Sequence, residues 1–408
     1  PVKPAGTSAR LVCEAPEVKL RVVCTEFCVS RRGHERLKAE QDRTRLMSIE
    51  ASSVLAALSE IVGEDWVKTD SADLQTYGTD WTKQFPVAPS VIVMPKTVAE
   101  VQAVVNLANE IPFKLVPSGG RTGLSGGAVA TDGEVVLVLD RMNQILDFNA
   151  ADRQVTCEAG VVTEQLQQFA ESQGLFYPVD FASSGSSQLG GNVATNAGGI
   201  KVIRYGMTRS WVTGMKVVTG RGDLLDLNRG LTKNATGYDF RHLFIGSEGT
   251  LGIVVELTMA LSAPPQDPVV LIMGVEDMTQ TMPVLEAFQK RLSLTAFEFF
   301  SEQALQHVIA EKNLARPFET AANFYALIEF EQRGEEDLEA AMALFEHCLE
   351  QGWIADGTIS QNLTQAESLW RLREDISETI AQFMPYKNDI AVRVSAVPQF
   401  LKDVDSLV

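Results

Sequence analysis

The sequence has few cysteines and no long apolar run. Five of its 408 residues are cysteine, and three of these (Cys13, Cys24 and Cys28) fall within the first thirty residues. Cys157 and Cys348 are isolated, so no disulfide framework is visible, which favours a reducing compartment. No apolar run approaches the roughly eighteen residues of a membrane-spanning helix, which argues against that class of protein.

Basic residues are also scarce. The chain carries 35 Lys and Arg against 53 Asp and Glu, a formal net charge of −18. This excess of acidic residues argues against nucleic acid or an anionic membrane as a partner. The first 46 residues differ, with ten basic and six acidic residues. Met47 looks like a conventional start, and Ser48 suits a helix N-cap, so we expect residues 1–46 to be a disordered or non-native extension and residues 47–84 to be a helical lead-in.

Glycine, by contrast, is concentrated in two loops. Pro117–Ala128 reads PSGGRTGLSGGA, Ser183–Gly199 reads SSGSSQLGGNVATNAGG, and each contains five glycines. Glycine lets the backbone take positive φ and approach a ligand closely, and successive backbone N–H groups in such turns hold phosphate. Because strand patterns flank both loops, flexible linkers are the less favoured alternative. The first and second glycine loops, as we call them, therefore predict a large ligand with its pyrophosphate in a glycine cradle.

Strand and helix patterns alternate along the rest of the chain. The predicted strands are Pro89–Pro95, Lys114–Pro117, Val135–Asp140, Ile145–Phe148, Gln154–Glu158, Ser210–Val218, Leu224–Leu227, Ile253–Leu261, Val269–Met273, Ala296–Phe300 and Tyr325–Phe330. The predicted helices are Thr97–Asn109, Thr163–Gln173, Thr279–Leu292, Glu302–Lys312, Glu335–Gln351 and residues 369–380. Pro264–Pro265 is the best domain boundary.

Four motifs in the first domain carry a resemblance. A strand–helix unit is followed by PSGGRTGLSGG, by SSGSSQLGGNVATNAGG with Tyr205-Gly206, and by GSEGTLGIVVELT. In this order, over about Phe85–Ala263, they resemble the FAD-binding domain of the vanillyl-alcohol-oxidase (PCMH) type. The resemblance implies an α+β fold, with a two-subdomain FAD-binding domain over residues 85–264 and an α/β substrate-binding cap, incomplete at its C-terminus, over residues 265–408.

The resemblance also implies which residues bind FAD. Pro117–Gly127 would wrap the pyrophosphate, Ser184–Gly199 would run beside the ribityl chain and the isoalloxazine ring, and Glu248–Val254 would close on the adenine side. Some relatives carry a histidine linked to the flavin where this sequence has Arg121, which implies non-covalent FAD. The expected FAD-binding residues are Pro117, Ser118, Gly119, Gly120, Arg121, Thr122, Gly123, Leu124, Gly126, Gly127, Ser184, Gly185, Ser186, Ser187, Gly190, Gly191, Asn192, Thr195, Asn196, Gly198, Gly199, Glu248, Gly249, Gly252, Ile253 and Val254.

The cap contains a candidate carboxylate site. A helix over LWRLREDISETI places Arg373 and Ser377 four residues apart, and YKNDIAVRV predicts a strand with Lys387 at its edge. An arginine binds a carboxylate bidentately and a lysine adds a point charge. The alternative is a surface helix with pairs such as Arg371–Glu374 or Arg371–Asp375.

The same segment resembles the D-2-hydroxyglutarate dehydrogenase branch of the FAD-dependent D-2-hydroxyacid dehydrogenases. The resemblance implies that the three cap residues grip the substrate carboxylates while a hydride passes from C2 to flavin N5. D-Lactate dehydrogenases, flavin oxidases and a non-catalytic FAD-binding fragment are the alternatives. The resemblance further implies a separate electron acceptor such as electron-transfer flavoprotein, a possible homodimer, and the bacterial cytoplasm or the mitochondrial matrix as location.

One expected part of that family is missing from the sequence. Relatives carry an HxxxxGDGNxH-like segment and a later Glu-His-Gly segment, which supply a divalent metal site, zinc by expectation, and the catalytic base. The histidines present (His34, His242, His307 and His347) do not map onto those positions. We therefore expect a C-terminally truncated chain whose base and metal ligands lie beyond Val408, and we assign no metal ligand or catalytic base here.

Overall fold

The computed structural model of the chain describes residues 53–383 and 390–407. Within these ranges the backbone forms three β-sheets, two of them before the proline pair Pro264–Pro265 and one after it. The extension predicted over residues 1–46 lies outside the described residues. None of the described helices is both long and apolar enough to cross a membrane.

The first sheet combines parallel and antiparallel pairing. Its strands and the helices beside it are β1 (Val67–Lys68), β2 (Val91–Val93), β3 (Leu115–Ser118), β4 (Val135–Val138), α1 (residues 53–62), α2 (Ser71–Tyr77) and α3 (Val98–Glu110). The order is β1-β2-β4-β3, with β2 and β3 parallel to β4 and β1 antiparallel to β2. Every residue of β2 and β4 is buried, and for this reason their sequences are apolar throughout instead of alternating.

The second sheet is antiparallel. Its strands and the helices around it are β5 (Ile145–Asn149), β6 (Gln154–Glu158), β7 (Val212–Thr219), β8 (Leu224–Leu227), β9 (Gly252–Ala260), α4 (Thr163–Ser172), α5 (Leu189–Thr195), α6 (Val202–Tyr205) and α7 (Arg241–Phe244). The order is β5-β6-β9-β7-β8. One apolar core joins the first two sheets, with Leu137 of β4 and Leu257 of β9 among its members.

The third sheet forms the cap. Its strands and helices are β10 (Pro268–Val275), β11 (Leu294–Ser301), β12 (Phe324–Glu331), β13 (Asp356–Ile359), α8 (Thr281–Gln289), α9 (Glu302–Lys312), α10 (Glu335–Glu350), α11 (Leu363–Glu374), α12 (Ile376–Thr379) and α13 (Val397–Asp405). The strand order is β11-β12-β10-β13, all antiparallel. One face packs on α8 and α10, and the other packs on α9 and α11.

The expected α+β class is confirmed, and most predicted elements match within a few residues. The predicted strand over YKNDIAVRV is wrong where it can be judged, because residues 390–393 form no strand and residues 384–389 lie outside the described chain. The sheet edge beside β10 is instead occupied by β13, which the sequence patterns missed. The predicted helix over residues 369–380 is divided at Asp375 into α11 and α12.

Candidate cofactor and substrate site

The first glycine loop continues from the end of β3 and is held in place by Asp80. The buried Asp80 carboxylate accepts hydrogen bonds from the Gly126 amide at 2.8 Å and from the Thr82 amide at 2.9 Å. Gly126 has φ 80°, and a Cβ at this position would stand 2.6 Å from the Phe85 ring. A larger residue does not fit there, so the loop has a defined conformation.

A run of backbone amides from residue 120 to residue 125 lies in this loop. None of these amides donates a hydrogen bond to an acceptor within residues 53–383 or 390–407. Successive N–H groups that are left available in a turn form a concavity that binds anions. The arrangement therefore suits a phosphate or pyrophosphate group.

The second glycine loop packs closely on the turn that precedes α4. The Gly190 amide donates to the Ala159 carbonyl at 2.7 Å, and a Cβ on Gly190 would stand 2.8 Å from the Ala159 Cβ. The Asn192 amide group donates to Thr163 Oγ1 at 2.6 Å, and the Ser187 hydroxyl lies 2.8 Å from the same oxygen. These buried contacts hold the start of α5 at a set distance from the second sheet.

The two glycine loops touch each other and share a carboxylate. A Cβ on Gly120 would stand 2.1 Å from the Ser186 carbonyl oxygen, so only glycine permits this approach. Asp140, just after β4, accepts hydrogen bonds from the Arg121 guanidinium at 3.2 Å and from Gln188 Nε2 at 2.7 Å. One carboxylate thus joins both loops.

The segment Glu248–Val254 approaches from the other side of the second loop. Glu248 (φ 52°) and Gly249 (φ 76°) take left-handed conformations, and the Glu248 amide donates to the Ala194 carbonyl at 2.9 Å. A Cβ on Gly249 would lie 3.3 Å from the Pro117 ring, tighter than usual contacts. The left-handed turn therefore brings this segment against the first glycine loop.

The three segments line one cleft. Its empty volume is about 950 Å³, including the part open to solvent. Seventeen of the expected FAD-binding residues line it. The expected residues that do not line it are Leu124, Gly126, Ser184, Gly185, Ser186, Ser187, Asn196, Gly198 and Gly199. The lining residues that we did not predict are Asp80, Ser125, Ala128, Leu139, Gln188, Ala194 and Ser247.

Two buried oxygens in residues of the cleft lining have no protein partner among the described residues. These are Ser118 Oγ and Gln188 Oε1, and their residues are 1% and 6% exposed. Burying a polar atom without a hydrogen-bond partner costs free energy. Such an atom at the wall of a cleft therefore indicates a ligand that supplies the missing hydrogen bond. Gln188 Nε2 already donates to Asp140, so Gln188 Oε1 is the atom that is left for the ligand. An amide oxygen accepts, and the ligand must therefore have a hydrogen-bond donor at this place.

The candidate carboxylate site is described in part. Arg373, near the end of α11, makes an ion pair with Glu298 of β11, with Nη2 at 2.7 Å and Nε at 2.9 Å from one oxygen. Burial raises the pKa of Glu298, while the Arg373 charge acts in the opposite direction. Ser377 lies on α12, roughly one turn further along the chain, and Lys387 lies outside the described residues.

The surface-helix alternative applies to a neighbouring arginine. Arg371 pairs with Asp375, with Nη2 to Oδ2 at 3.0 Å, on the exposed side of α11. Arg373 instead reaches across to the cap sheet and is 31% exposed. The two arginines of LWRLRED therefore have different surroundings, and the prediction that Arg373 binds substrate stays a prediction.

Two sequence-family models match the chain. One is described as an FAD binding domain and matches residues 89–228, and the other is described as the C-terminal domain of FAD linked oxidases and matches residues 264–408. Both expected domains are therefore matched, and these matches give no support to the prediction that the chain is truncated.

Several curated relatives are similar over most of the chain. The chain is 60% identical over 356 residues to a D-2-hydroxyglutarate dehydrogenase of Stutzerimonas stutzeri, covering 87% of this chain and 77% of the relative. Identity is 55% with the enzyme of that name from Xanthomonas citri, covering 84% and 72%. It is 36% with the mitochondrial one of Arabidopsis thaliana, covering 89% and 66%.

Solved structures share the fold at lower identity. An alkyldihydroxyacetonephosphate synthase has a TM-score of 0.64 at 21% identity, covering 81% of this chain and 64% of that one. A p-cresol methylhydroxylase has a TM-score of 0.63 at 18% identity, covering 80% and 69%. At these identities the likeness concerns the fold alone.

Proposed function

This chain belongs to the D-2-hydroxyglutarate dehydrogenase family of FAD-dependent oxidoreductases, and we propose that it oxidises D-2-hydroxyglutarate to 2-oxoglutarate. The observation that carries the proposal is the cleft in which the two glycine loops and Glu248–Val254 meet. The identity of 60% with a bacterial D-2-hydroxyglutarate dehydrogenase supports the substrate. We assign residues 85–264 to the FAD-binding domain and residues 265–408 to the substrate-binding cap.

The residues of the cleft fit FAD in three respects. The available amides of residues 120–125 suit the pyrophosphate, and the buried oxygens of Ser118 and Gln188 suit hydroxyl or N–H donors of the ribityl chain or the flavin ring. Position 121 is an arginine where some relatives carry a histidine linked to the flavin, which suits non-covalent FAD, and Asp140 holds its guanidinium. When bound, FAD supplies the redox chemistry, because its ring accepts the hydride that leaves C2 of the hydroxy acid.

The cap residues orient the substrate in this proposal. Arg373 has its Nε and Nη2 on Glu298, while Nη1 has no acceptor within the described residues and is directed to a substrate carboxylate. Glu298 thereby holds the plane of the guanidinium. Ser377 and Lys387 are assigned the second contact to the dicarboxylate, on the strength of the family resemblance.

The predicted divalent metal finds no ligand set in the described part of the chain. Within residues 53–383 and 390–407, no three or more His, Cys, Asp or Glu are placed to hold a metal ion. We assign no step to a metal. We propose that the electrons pass to a separate acceptor such as electron-transfer flavoprotein. The proposed location is the cytoplasm in a bacterium or the mitochondrial matrix in a eukaryote. A homodimer is compatible with this proposal.

Anaerobic reduction of the bound flavin tests the substrate and the role of Arg373 together. D-2-Hydroxyglutarate, D-lactate and D-malate are added separately to the FAD-loaded chain, and the visible flavin absorbance is followed. We expect bleaching by D-2-hydroxyglutarate, with the rate at low substrate reduced about 100-fold or more in Arg373→Ala, because a charged hydrogen bond to the carboxylate is lost.

The matched control is Arg371→Ala, two residues away on the same helix, which removes only the exposed pair with Asp375 and leaves the rate unchanged. Bleaching by D-lactate alone would overturn the substrate assignment. Equal rates for both arginine variants and the wild-type chain would overturn the role of Arg373.

A further inference from the structure

A short segment of the FAD-binding part enters the cap. Residues 200–205, which we call the bridging segment, follow the second glycine loop directly. Ile200 packs against the apolar cluster between the cap sheet and α11. Lys201 Nζ lies 3.1 Å from Glu329 Oε1, and Arg204 Nη2 lies 3.7 Å from Glu331 Oε2. Two cations of one segment thus contact two carboxylates of β12, and Glu331 Oε2 has a closer partner in Arg333 Nη2 at 2.7 Å.

Both carboxylates are buried, which is unusual and costly. Glu329 and Glu331 are 3% and 8% exposed, and the only other buried acidic residue of the described chain is Asp80 in the FAD-binding part. The two glutamates are two positions apart on a strand and therefore face the same side of the sheet. Buried charges persist only when they are paired, and each is a weak contributor to stability in its own right. The Lys201–Glu329 pair, whose side chains are 14% and 4% exposed, therefore holds the two groups in one arrangement.

Glu329 extends the connection to the helix that carries the candidate carboxylate-binding arginine. Its Oε2 accepts a hydrogen bond from Trp370 Nε1 at 2.8 Å, and Trp370 is three residues before Arg373 on α11. Its other oxygen, Oε1, accepts from Lys201 and from Thr295. A continuous set of contacts therefore runs from the end of the second glycine loop through Lys201 and Glu329 to α11.

We propose that Lys201 and Glu329 are positioning residues that set the location of Arg373 relative to the flavin side of the cleft. The proposal rests on the function proposed above. Lys201 lies at the boundary of the two parts and is fixed by the loop that precedes it, since Gly199 (φ 85°) packs against the Asp180 carbonyl and the Ile200 amide donates to that oxygen at 3.1 Å. A shift at Glu329 moves Trp370 and with it the turn that holds Arg373.

The test compares KM, kcat and stability in Lys201→Met, Lys201→Arg, Glu329→Gln and the double variant Lys201→Met/Glu329→Gln. We expect Lys201→Met to raise the KM for D-2-hydroxyglutarate about tenfold, because displacing a binding group by about an ångström weakens its interaction strongly. Lys201→Arg keeps the charge and restores KM to within about threefold of wild type. FAD content is unchanged in all of them, because neither residue lines the cofactor cleft.

The double variant separates positioning from stability. Removing one partner of a buried pair destabilises a protein, while removing both can be nearly neutral. We therefore expect the melting temperature to recover in the double variant while KM stays raised. The control is Lys216→Met, which breaks a pair with Glu256 (2.8 Å) between β7 and β9 of the second sheet and is expected to leave KM unchanged.

An unchanged KM in Lys201→Met and in the double variant would overturn the proposal, whatever their melting temperatures. If the wild-type chain is reduced by another D-2-hydroxy acid instead of D-2-hydroxyglutarate, the proposed function fails by itself. The same KM comparison is then made with that acid and tests the positioning role separately. If Lys201→Met does not fold, the KM values of the double variant and of Glu329→Gln test the proposal instead.

Discussion

Asp140 determines which atom of Gln188 is left for a ligand. Its carboxylate accepts from Gln188 Nε2 and from the Arg121 guanidinium. An amide side chain has one donating and one accepting end, so the oxygen of Gln188 is the end that remains. One acidic residue outside both glycine loops thereby selects a ligand with a donor at that place.

Replacing Asp140 by asparagine should therefore weaken FAD binding. Asp140→Asn removes the negative charge that attracts Arg121 and leaves Gln188 free to turn its amide group. We expect the dissociation constant for FAD, measured by fluorescence titration of the apoprotein, to rise about tenfold, which corresponds to one charged hydrogen bond. The control is Asp132→Asn, which affects only the exposed pair with Lys114. Wild-type affinity in Asp140→Asn would show that the shared carboxylate has no part in cofactor binding.

The glycine loops could be predicted at the residue scale, and their supports could not. A backbone segment that must approach another closely needs glycine, and this requirement is visible in the sequence PSGGRTGLSGG. Gly120 of that segment touches the backbone of Ser186. Gln188 lies inside the second glycine loop but has no unusual neighbours in sequence. Its role depends on Asp140, which is 48 residues away in the chain, and such contacts carry no signal in a single sequence.

The first turn of α9 contains a carboxylate that accepts several hydrogen bonds. Arg316 donates to both oxygens of Glu302 at 2.9 Å, and the Tyr325 hydroxyl donates to the same group. The Arg316 hydrogen bond in particular lowers the pKa of Glu302 to about 2. Since the ordinary value is 4.5, the ionised form is favoured by folding, and the stability that it contributes is present above about pH 4.5 and lost as the pH falls through about 2.

Glu302→Gln should therefore lower the free energy of unfolding by roughly 1–3 kcal/mol at neutral pH, and the difference from wild type should shrink toward about pH 3. Urea unfolding of the variant and of the wild-type chain between about pH 3 and neutral pH measures the loss of stability and its dependence on pH. Glu286→Gln, which breaks the exposed pair with Lys290, serves as control and changes little. A difference for Glu302→Gln that stays constant with pH would contradict the account.

Helices and strands with a regular spacing of apolar residues could be predicted from the sequence. Elements whose position depends on pairing with a distant strand or helix could not. Helix α9 begins and ends where its pattern predicts, over Glu302–Lys312. Strand β13 was missed because its sequence DGTI is short and only intermediate in burial, and its place depends on pairing with β10. The division between α11 and α12 at Asp375 was likewise missed, because no proline or glycine marks it in the sequence.

At the scale of the whole molecule, two parts are connected by the bridging segment. The cofactor cleft lies in the FAD-binding part, and Arg373 lies in the cap. The bridging segment leaves the second glycine loop and enters the cap core at Ile200. The family resemblance predicted each part separately, while the ion pairs of Lys201 and Arg204 join residues more than a hundred positions apart and were not foreseen.

The flavin content of the purified chain tests the central claim most directly. The chain is precipitated with acid, and the absorbance of the supernatant and of the pellet is compared. We predict one FAD per chain, released into the supernatant, because Arg121 stands where some relatives carry the histidine that is linked to the flavin. A colourless chain that takes up no FAD when it is supplied would contradict the claim.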